Sequence, residues 1–231
     1  MEEYRWRIRI DNFNYGELSA LTTKKGRIYN TPIGDFPSIT TVLRKTKDNS
    51  WLWEWRNRIG REEADRITSY SSSRGTKVHK HMENHMDGKE VDLSSASEDE
   101  IQMFNGLKMY DSKITKIYGK EVPLYSKELK FAGRADLIGE WENTPAVIDY
   151  KTSRKTKKRE WIKDYFLQGT AYALAHDELY ETQINLIVIL ITVENDIPQC
   201  FTLDLQKEPW VFQELGDRLV NFYKQFPGGK F

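Results

Sequence analysis

The stretch from Phe131 to Ser153 limits the fold strongly, because two short apolar runs flank a polar turn at Glu142-Asn143-Thr144-Pro145. This pattern is typical of a β-hairpin. The first run carries Asp136 and the second carries Asp149, with Lys151 two residues further on. Residues two apart on a strand share a face, so Asp149 and Lys151 point the same way. The hairpin therefore predicts two carboxylates and an ammonium close together, a site for a hard divalent cation with a lysine beside it.

A surface hairpin with solvated charges is the alternative, since Asp-x-Lys is a common triplet in a chain with 30% charged residues.

Hydrophobic periodicity and capping signals predict the helices and strands that surround the hairpin. Before the hairpin we predict a strand over Tyr4–Ile10, a short helix capped by Ser38, a helix over Trp51–Ile67, a polar helix start at Ser71–Thr76, a helix from the capping box Ser97-x-x-Glu100 to about Tyr118, and a strand over Val122–Phe131. After it we predict a helix over Trp161–Glu178, strands over Ile184–Val193 and Cys200–Leu205, and a helix over Trp210–Phe226.

Composition narrows the function classes. The 35 Lys and Arg balance the 35 Asp and Glu, so bulk charge predicts neither nucleic acid nor membrane as partner, and any electrostatic partner must use local patches. The single cysteine, Cys200, excludes an internal disulfide and a cysteine-rich zinc site. The N-terminus lacks an apolar leader, and Ile184–Val193 is too short to span a bilayer. We expect a cytoplasmic protein, with Ile184–Val193 as a strand near the centre of a sheet.

Two helices carry polar residues that share a face. His79 and Glu83 are four apart, with Gly75 four residues earlier to allow a close approach of another backbone. Gln168 and Tyr172 are four apart on the helix after the hairpin. A lone histidine is more often a surface or core residue than a metal ligand.

A basic run follows Lys151, and aromatic residues follow the run. A solvated loop is one interpretation, and a phosphate clamp next to the acids is the other. Trp51, Trp53 and Trp55 cannot all lie on one helical face; packing in the core is the favoured interpretation, and exposure for base stacking is the alternative. The run and its aromatic residues are Arg154, Lys155, Lys157, Lys158, Arg159, Trp161 and Tyr165.

The ordered set of motifs resembles the RecB-like branch of the PD-(D/E)XK nuclease superfamily, roughly from Ser71 to Ala175. The motifs are Gly75-x-x-x-His79, Gly133-x-x-Asp136, Asp149-x-Lys151 and Gln168-x-x-x-Tyr172. A wider region, with Pro37-Ser38-Ile39-Thr40, Trp55-Arg56 and Gly133-Arg134-Ala135-Asp136, resembles a family of mitochondrial genome-maintenance exonucleases that has phage and bacterial members. Since no transit peptide is visible, we expect a phage or bacterial member.

The resemblance implies a mixed α/β fold with a restriction-endonuclease-like core, a central mixed sheet flanked by helices. It implies one domain over 1–231, with 1–70 as its accessory part. It assigns Mg²⁺ or Mn²⁺ to His79, Asp136, Asp149 and the carbonyl of Tyr150. It also makes Lys151 the catalytic lysine, which orients or deprotonates the attacking water. Gln168 and Tyr172 then support the site and contact DNA.

The implied function is a metal-dependent DNA exonuclease that prefers single-stranded DNA or single-stranded ends, in DNA processing, repair, recombination or replication. The basic run and its aromatic residues would grip the strand. Three alternatives stay open: a structure-specific or duplex endonuclease on the same fold, a nucleic-acid-binding module without catalysis, and a metalloprotein that is not a nuclease. Polarity of digestion, the number of metal ions and the oligomeric state do not follow from the sequence.

Overall fold

The computed structural model describes residues 8, 9 and 13–231. The predicted strand over Tyr4–Ile10 lies outside the described residues except for Ile8–Arg9, a short strand that pairs in parallel with Lys116 and Ile117. The helices are α1 (Ile39–Thr46), α2 (Ser50–Ile59), α3 (Arg61–Met86), α4 (Glu98–Lys108), α5 (Lys163–Tyr180) and α6 (Trp210–Gln225), with 3-10 turns at Asp111–Lys113, Arg159–Trp161 and Pro227–Gly229. The strands are β1 (Ile8–Arg9), β2 (Ser19–Thr22), β3 (Arg27–Thr31), β4 (Gly34–Pro37), β5 (Ile114–Ser126), β6 (Phe131–Trp141), β7 (Thr144–Ser153), β8 (Leu186–Val193) and β9 (Gln199–Asp204).

The main sheet of the described chain has the order β1-β5-β6-β7-β8-β9 and is mixed. β6 runs antiparallel to β5 and β7, β8 runs parallel to β7, and β9 returns antiparallel to β8. The hairpin of β6 and β7 confirms the prediction, with a shorter turn. Glu142 and Asn143 have φ of 48° and 67°, the pair of positive values that a two-residue type I′ turn requires. Thr144 and Pro145, predicted as part of the turn, already belong to β7.

Helices cover both faces of this sheet. β8 is buried along both faces, as predicted: Ile187, Ile189 and Ile191 pack into the core cluster with α1, α5 and α6, whereas Val188 and Leu190 pack into the cluster with α3 and α4. Its predicted position near the centre of the sheet is wrong, because β8 lies next to the edge strand β9 of the described sheet and is buried by the helices on both faces. The alternation follows from the period of two along a strand. The predicted architecture, a central mixed sheet flanked by helices, is confirmed.

The N-terminal part of the chain joins the same core. A small antiparallel sheet of β2, β3 and β4 leads into α1, whose N-cap is Ser38, as predicted; its hydroxyl accepts from the amide of Thr41 at 3.1 Å. Ile39, Val42 and Leu43 of α1 then pack in the cluster with α5 and α6. The boundaries of a single domain over 1–231 stay a prediction. No helix in the described part of the chain combines the length and the apolar character needed to cross a bilayer.

Three predicted helices differ from those observed. The predicted Trp51–Ile67 helix is interrupted at Gly60, where φ is 88°, so that α2 and α3 are separate. Ser71–Thr76 is not a helix start but the middle of α3. The many hydroxyl side chains there interrupt the apolar periodicity that would indicate one continuous helix. The capping box at Ser97 is confirmed, but α4 ends at Lys108 because Ile114 and Ile117 belong to β5 and not to its core stripe.

The three tryptophans of α2 are not core residues, so the favoured interpretation was wrong. None of the residues of α2, all of which the structure describes, is buried. Trp51 is 57% exposed and Trp53 is 66% exposed. Glu54, Arg56 and Arg58 make the second half of α2 polar, and its tryptophans stand outside the apolar clusters of the described chain.

His176 anchors the segment around Tyr15 to α5. Its Nε2 lies 2.8 Å from the Tyr15 hydroxyl and its Nδ1 lies 2.7 Å from the Thr182 hydroxyl, and the ring of Tyr180 lies 4.9 Å away, tilted by 43°. Burial lowers the pKa of His176 to about 4. The imidazole is therefore neutral in the folded protein at neutral pH, and protonation favours the unfolded chain.

Acidification should consequently destabilise the fold through this residue. Because the folded-state pKa lies below the unfolded value, the contribution is complete above pH 6.5 and is lost as the pH falls toward 4. The difference in unfolding free energy between wild type and His176→Gln, measured by urea denaturation, should shrink by about 3 kcal/mol between pH 7.5 and 4.5. A difference that stays constant over this range would contradict the buried neutral imidazole.

Candidate active site

The two hairpin acids face one another across neighbouring strands. Leu137 of β6 pairs with Ile148 of β7, and one step further along the hairpin stand Asp136 and Asp149. There the regular ladder stops, and the amide of Tyr150 donates at 2.8 Å to Oδ2 of Asp136 instead of to a β6 carbonyl. The carboxylate of Asp136 thus replaces a backbone acceptor, which fixes its position beside Asp149.

Lys151 completes the group, and its ammonium forms an ion pair with Oδ2 of Asp149. The ring of Tyr165 lies 5.1 Å from the same Nζ. Burial acts to lower the pKa of Lys151, but Asp149 and Asp136 outweigh it and raise the pKa above its ordinary value. Lys151 is accordingly a cation in this arrangement, suited to holding a phosphate oxygen or orienting water rather than to taking up a proton.

The pKa values of the two carboxylates are shifted in opposite directions. Burial raises the pKa of Asp149 to about 6, and Asp136 adds to this effect while Lys151 opposes it. Burial also acts to raise the pKa of Asp136, but His79, Lys151 and the amide of Tyr150 outweigh it and leave the pKa lowered. Positive charge near Asp136 therefore exceeds that near Asp149, which is 1% exposed and short of counter-charge.

The motif residues of α5 support Asp149 from one side of the sheet. Nε2 of Gln168 donates to Oδ1 of Asp149 at 3.1 Å and lies 3.5 Å from the hydroxyl of Tyr172. The ring of Tyr172 is buried against Gly133 of β6: a Cβ at Gly133 would lie 2.5 Å from Cε1 of that ring. Glycine in the motif Gly133-x-x-Asp136 is thus required by contact with the motif Gln168-x-x-x-Tyr172.

α3 brings His79 to the other acid. Nδ1 of His79 lies 3.4 Å from Oδ2 of Asp136. Burial lowers the pKa of His79, but the carboxylate of Asp136 more than compensates and the net direction is upward. Gly75 was predicted to allow a close approach of another backbone, but the described neighbour within 4 Å of its Cβ position is a side-chain atom, the Thr152 hydroxyl on β7 at 3.3 Å. The predicted backbone contact is therefore wrong.

A cavity of about 540 Å³ opens onto these residues. His79, Asp136, Lys151, Gln168 and Tyr172 all line it. Asp149 does not line the cavity itself, but it contacts Lys151 and Gln168, which do. The structure therefore brings the residues of four separate motifs to one cavity.

Comparisons with known proteins agree with this geometry. Residues 101–198 match the family model described as the PD-(D/E)XK nuclease superfamily, a span that includes the hairpin, α5 and β8 and ends just before β9. The chain has the PD-(D/E)XK nuclease fold. The resemblance noted in the sequence is confirmed.

The chain is also similar to three proteins named mitochondrial genome maintenance exonuclease 1. The protein of Xenopus tropicalis is 28% identical over 181 residues, 71% of this chain and 50% of the relative. The protein of Mus musculus is 25% identical over 70% of this chain and 51% of the relative, and that of Homo sapiens is 26% identical over 70% and 50%. The chain thus spans about half the length of the curated relatives it matches.

Other residues of the same cavity were not predicted from the sequence. Arg27 and Arg134 bring positive charge to the cavity, and Glu121 brings a third acid. Burial raises the pKa of Glu121, and the nearby Asp136 adds to the effect. Arg134 stands inside the quoted motif and was signalled by it, whereas Arg27 and Glu121 lie on β3 and β5, where no local pattern marks them. The cavity hydroxyls that were also missed belong to Ser71, Ser72, Thr76 and Thr40.

The residues of the basic run after β7 do not converge on one place in the structure. Arg159 donates to the Glu208 carboxylate at 2.6 Å and to the Thr202 carbonyl at 2.7 Å, and Nε of Arg154 lies 3.9 Å from Glu194. These two arginines hold the loop to the protein. Lys157 and Trp161 line a second cleft away from the acids, and Tyr165 packs near Lys151. Lys155 and Lys158 line neither cavity, and a role of the run in nucleic-acid binding stays a prediction.

Two carboxylates, rather than a full set of protein ligands, are available for a metal ion at the cavity. In the described part of the chain, no three side chains of His, Cys, Asp and Glu lie close enough together to surround one metal ion. The donor set still fits a hard divalent cation, because Mg²⁺ is usually held by one or two carboxylates together with water. Burial, with Asp136 nearby, raises the pKa of Asp149 to about 6, and a cation beside the two carboxylates would favour their charged forms. Asp136 and Asp149 therefore fit a divalent cation, and His79 contacts only the first of them.

The contact between Gly133 and Tyr172 predicts the cost of a small substitution. Gly133→Ala should lower the unfolding free energy by about 1–3 kcal/mol, since a buried aromatic ring would have to move. Urea denaturation measures this change. Gly216→Ala in α6 is the matched control, because no described atom lies within 4 Å of its Cβ position, and alanine should be neutral or stabilising there. Equal effects of the two substitutions would contradict the packing of Tyr172 on β6.

Proposed function

We propose that this protein is a divalent-metal-dependent deoxyribonuclease that degrades single-stranded DNA, or single-stranded ends, from a free end. The observation that carries the proposal is the convergence of Asp136, Asp149 and Lys151 at one cavity inside a PD-(D/E)XK fold. Nucleases of this superfamily generally use divalent metal ions. The names of the three relatives support the exonuclease assignment.

Each residue has a role that its contacts support. Asp136 and Asp149 would hold Mg²⁺ or Mn²⁺, with the carbonyl of Tyr150 and with His79 as further donors. The bound cation would supply positive charge to the phosphodiester and to the attacking water. Gln168 keeps the Asp149 carboxylate oriented through the bond to its Oδ1.

Lys151 has the most demanding role. Its ammonium sits on Asp149 and is held as a cation by both acids. When a phosphodiester enters the cavity, this charge can be shared with a non-bridging phosphate oxygen and can orient the water that attacks phosphorus. Arg27, Lys80 and Arg134 on the cavity wall would bind neighbouring phosphates and steer the strand toward the acids.

The proposal places the protein in DNA processing for repair, recombination or replication, in the cytoplasm of a bacterium or of a phage-infected host. A binding module without catalysis is less well supported, because the acid, lysine and glutamine positions of the fold are all filled and in contact. An endonuclease on the same fold differs in the shape of substrate that it accepts, so substrate form distinguishes the two activities.

The experiment compares a linear single strand, a covalently closed single-stranded circle and a blunt duplex, each with Mg²⁺ or Mn²⁺. We expect degradation of the linear strand, little cutting of the circle or the duplex, and no activity in EDTA. Lys151→Ala should fold normally and lose about 100-fold or more in rate, since it removes a charge that stabilises the transition state.

Each alternative predicts a different result. Equal cutting of the circle would make the protein an endonuclease, and preference for the blunt duplex would overturn the assignment to single strands. Near-wild-type turnover by Lys151→Ala, with Mg²⁺ present, would remove the catalytic assignment of the whole group.

A further inference from the structure

A second cleft lies at the start of α5, around Lys163 and Asp164. Its volume is about 630 Å³, and it shares no lining residue with the first cavity. Lys47, Asp48 and Trp51 form one wall at the junction of α1 and α2. Lys157 and Trp161, on the segment that leaves β7, also line the cleft. The cleft therefore joins an N-terminal helix to the loop that follows Lys151.

Two tryptophans dominate this cleft, and both are open to solvent. Trp51 is 57% exposed and Trp161 is 59% exposed. Large aromatic side chains are normally buried, so two of them exposed in one cleft mark a binding surface rather than packing. A flat aromatic ligand fits such a surface better than an aliphatic one, because aromatic rings stack on one another.

The cleft has no net charge, because four basic side chains line it together with four acidic ones, Glu214 among them. Its most enclosed acid, Asp164, is neutralised by Lys47 at 2.8 Å and by Arg218 at 3.1 Å. The ammonium of Lys157 pairs with no carboxylate among the described residues, and that of Lys158 lies 5.4 Å from the Trp161 ring. Asp48 and Glu160 also border the cleft, so long-range attraction is modest and stacking supplies most of the affinity.

Position along α5 connects the cleft to the acids. Asp164 in the cleft stands four residues before Gln168, which donates to Asp149, so the two lie about 6 Å apart along the helix. Tyr165, the residue after Asp164, stands 5.1 Å from the Lys151 ammonium. The cleft is therefore within reach of a nucleotide close to the one whose phosphodiester lies at the acids.

We propose that the cleft between Trp51 and Trp161 binds an unpaired base of the DNA strand, close to the scissile phosphodiester. The proposal rests on the proposed function and names the part of the substrate that this surface takes. Stacking between aromatic faces tolerates any base, since every base has a π face. Lys157 and Lys158 then contact the adjoining phosphates. A paired base cannot enter such a cleft, which gives the enzyme a physical reason to select single strands.

The test is equilibrium binding of a fluorescently labelled oligo-dT to the full chain in a Lys151→Ala background with Mg²⁺, followed by fluorescence anisotropy. Trp161→Ala and Trp51→Ala should each weaken binding about tenfold, within the range expected for the loss of one stacked base. Trp161→Phe should keep most of the affinity because it keeps an aromatic face. Trp53→Ala is the matched control: Trp53 lies on the same helix and is 66% exposed but does not line the cleft, so its change should be under about twofold.

Oligonucleotide length provides a second readout. Affinity of the parent protein should rise when the strand becomes long enough to reach both sites, and Trp161→Ala should lack that step. Unchanged binding by both cleft variants, or equal weakening by Trp53→Ala, would overturn the proposal and would leave the cleft as a surface for a protein partner. The readout is binding and not cleavage, so failure of the nuclease activity would be visible separately and would not imitate either result.

Discussion

The bond from the Tyr150 amide to the Asp136 carboxylate is the interaction on which the site depends. It occurs where the β6–β7 ladder ends, and it holds one acid in a place that a backbone carbonyl would otherwise occupy. Asp149 directly precedes Tyr150 on β7 and is buried beside this bond. Two carboxylates are thereby forced together out of water, an arrangement that requires positive charge nearby. Lys151 supplies part of it, and a divalent cation would supply the remainder.

Elements on both sides of the sheet adapt to this pair. α5 offers Gln168 to Asp149 and presses Tyr172 on Gly133, whereas α3 offers His79 to Asp136. The sheet alone would leave the acids with incomplete partners. The helices orient the carboxylates and, at the same time, build the walls of the cavity that a phosphodiester strand would enter.

Sequence patterns predicted the parts of this architecture that depend on local chemistry. The hairpin, the Ser38 and Ser97 caps and the buried β8 follow from turn residues, hydrogen-bonding side chains and runs of branched aliphatic residues, all of which act over a few positions. The motif residues around Asp136, Asp149 and Gln168 were named correctly as neighbours because strand and helix periods fix which side chains share a face. Their roles in catalysis stay predictions.

The remaining features depend on contacts between distant segments. Glu121 and Arg27 enter the cavity because β5 and β3 pass beside it, and nothing in their immediate sequence indicates this. The basic run was interpreted as one clamp, yet Arg159 and Arg154 are paired with acids more than 39 residues away. α2 lies against α3, yet its tryptophans stay outside both apolar clusters of the described chain, and no local pattern indicates this.

The direct test of the central claim is Mn²⁺ binding to the full chain, followed by electron paramagnetic resonance. We predict that wild type binds Mn²⁺ and that Asp136→Asn with Asp149→Asn does not, at equal folded concentration. Equal binding by the two proteins would contradict the assignment of the buried acids as the cation site.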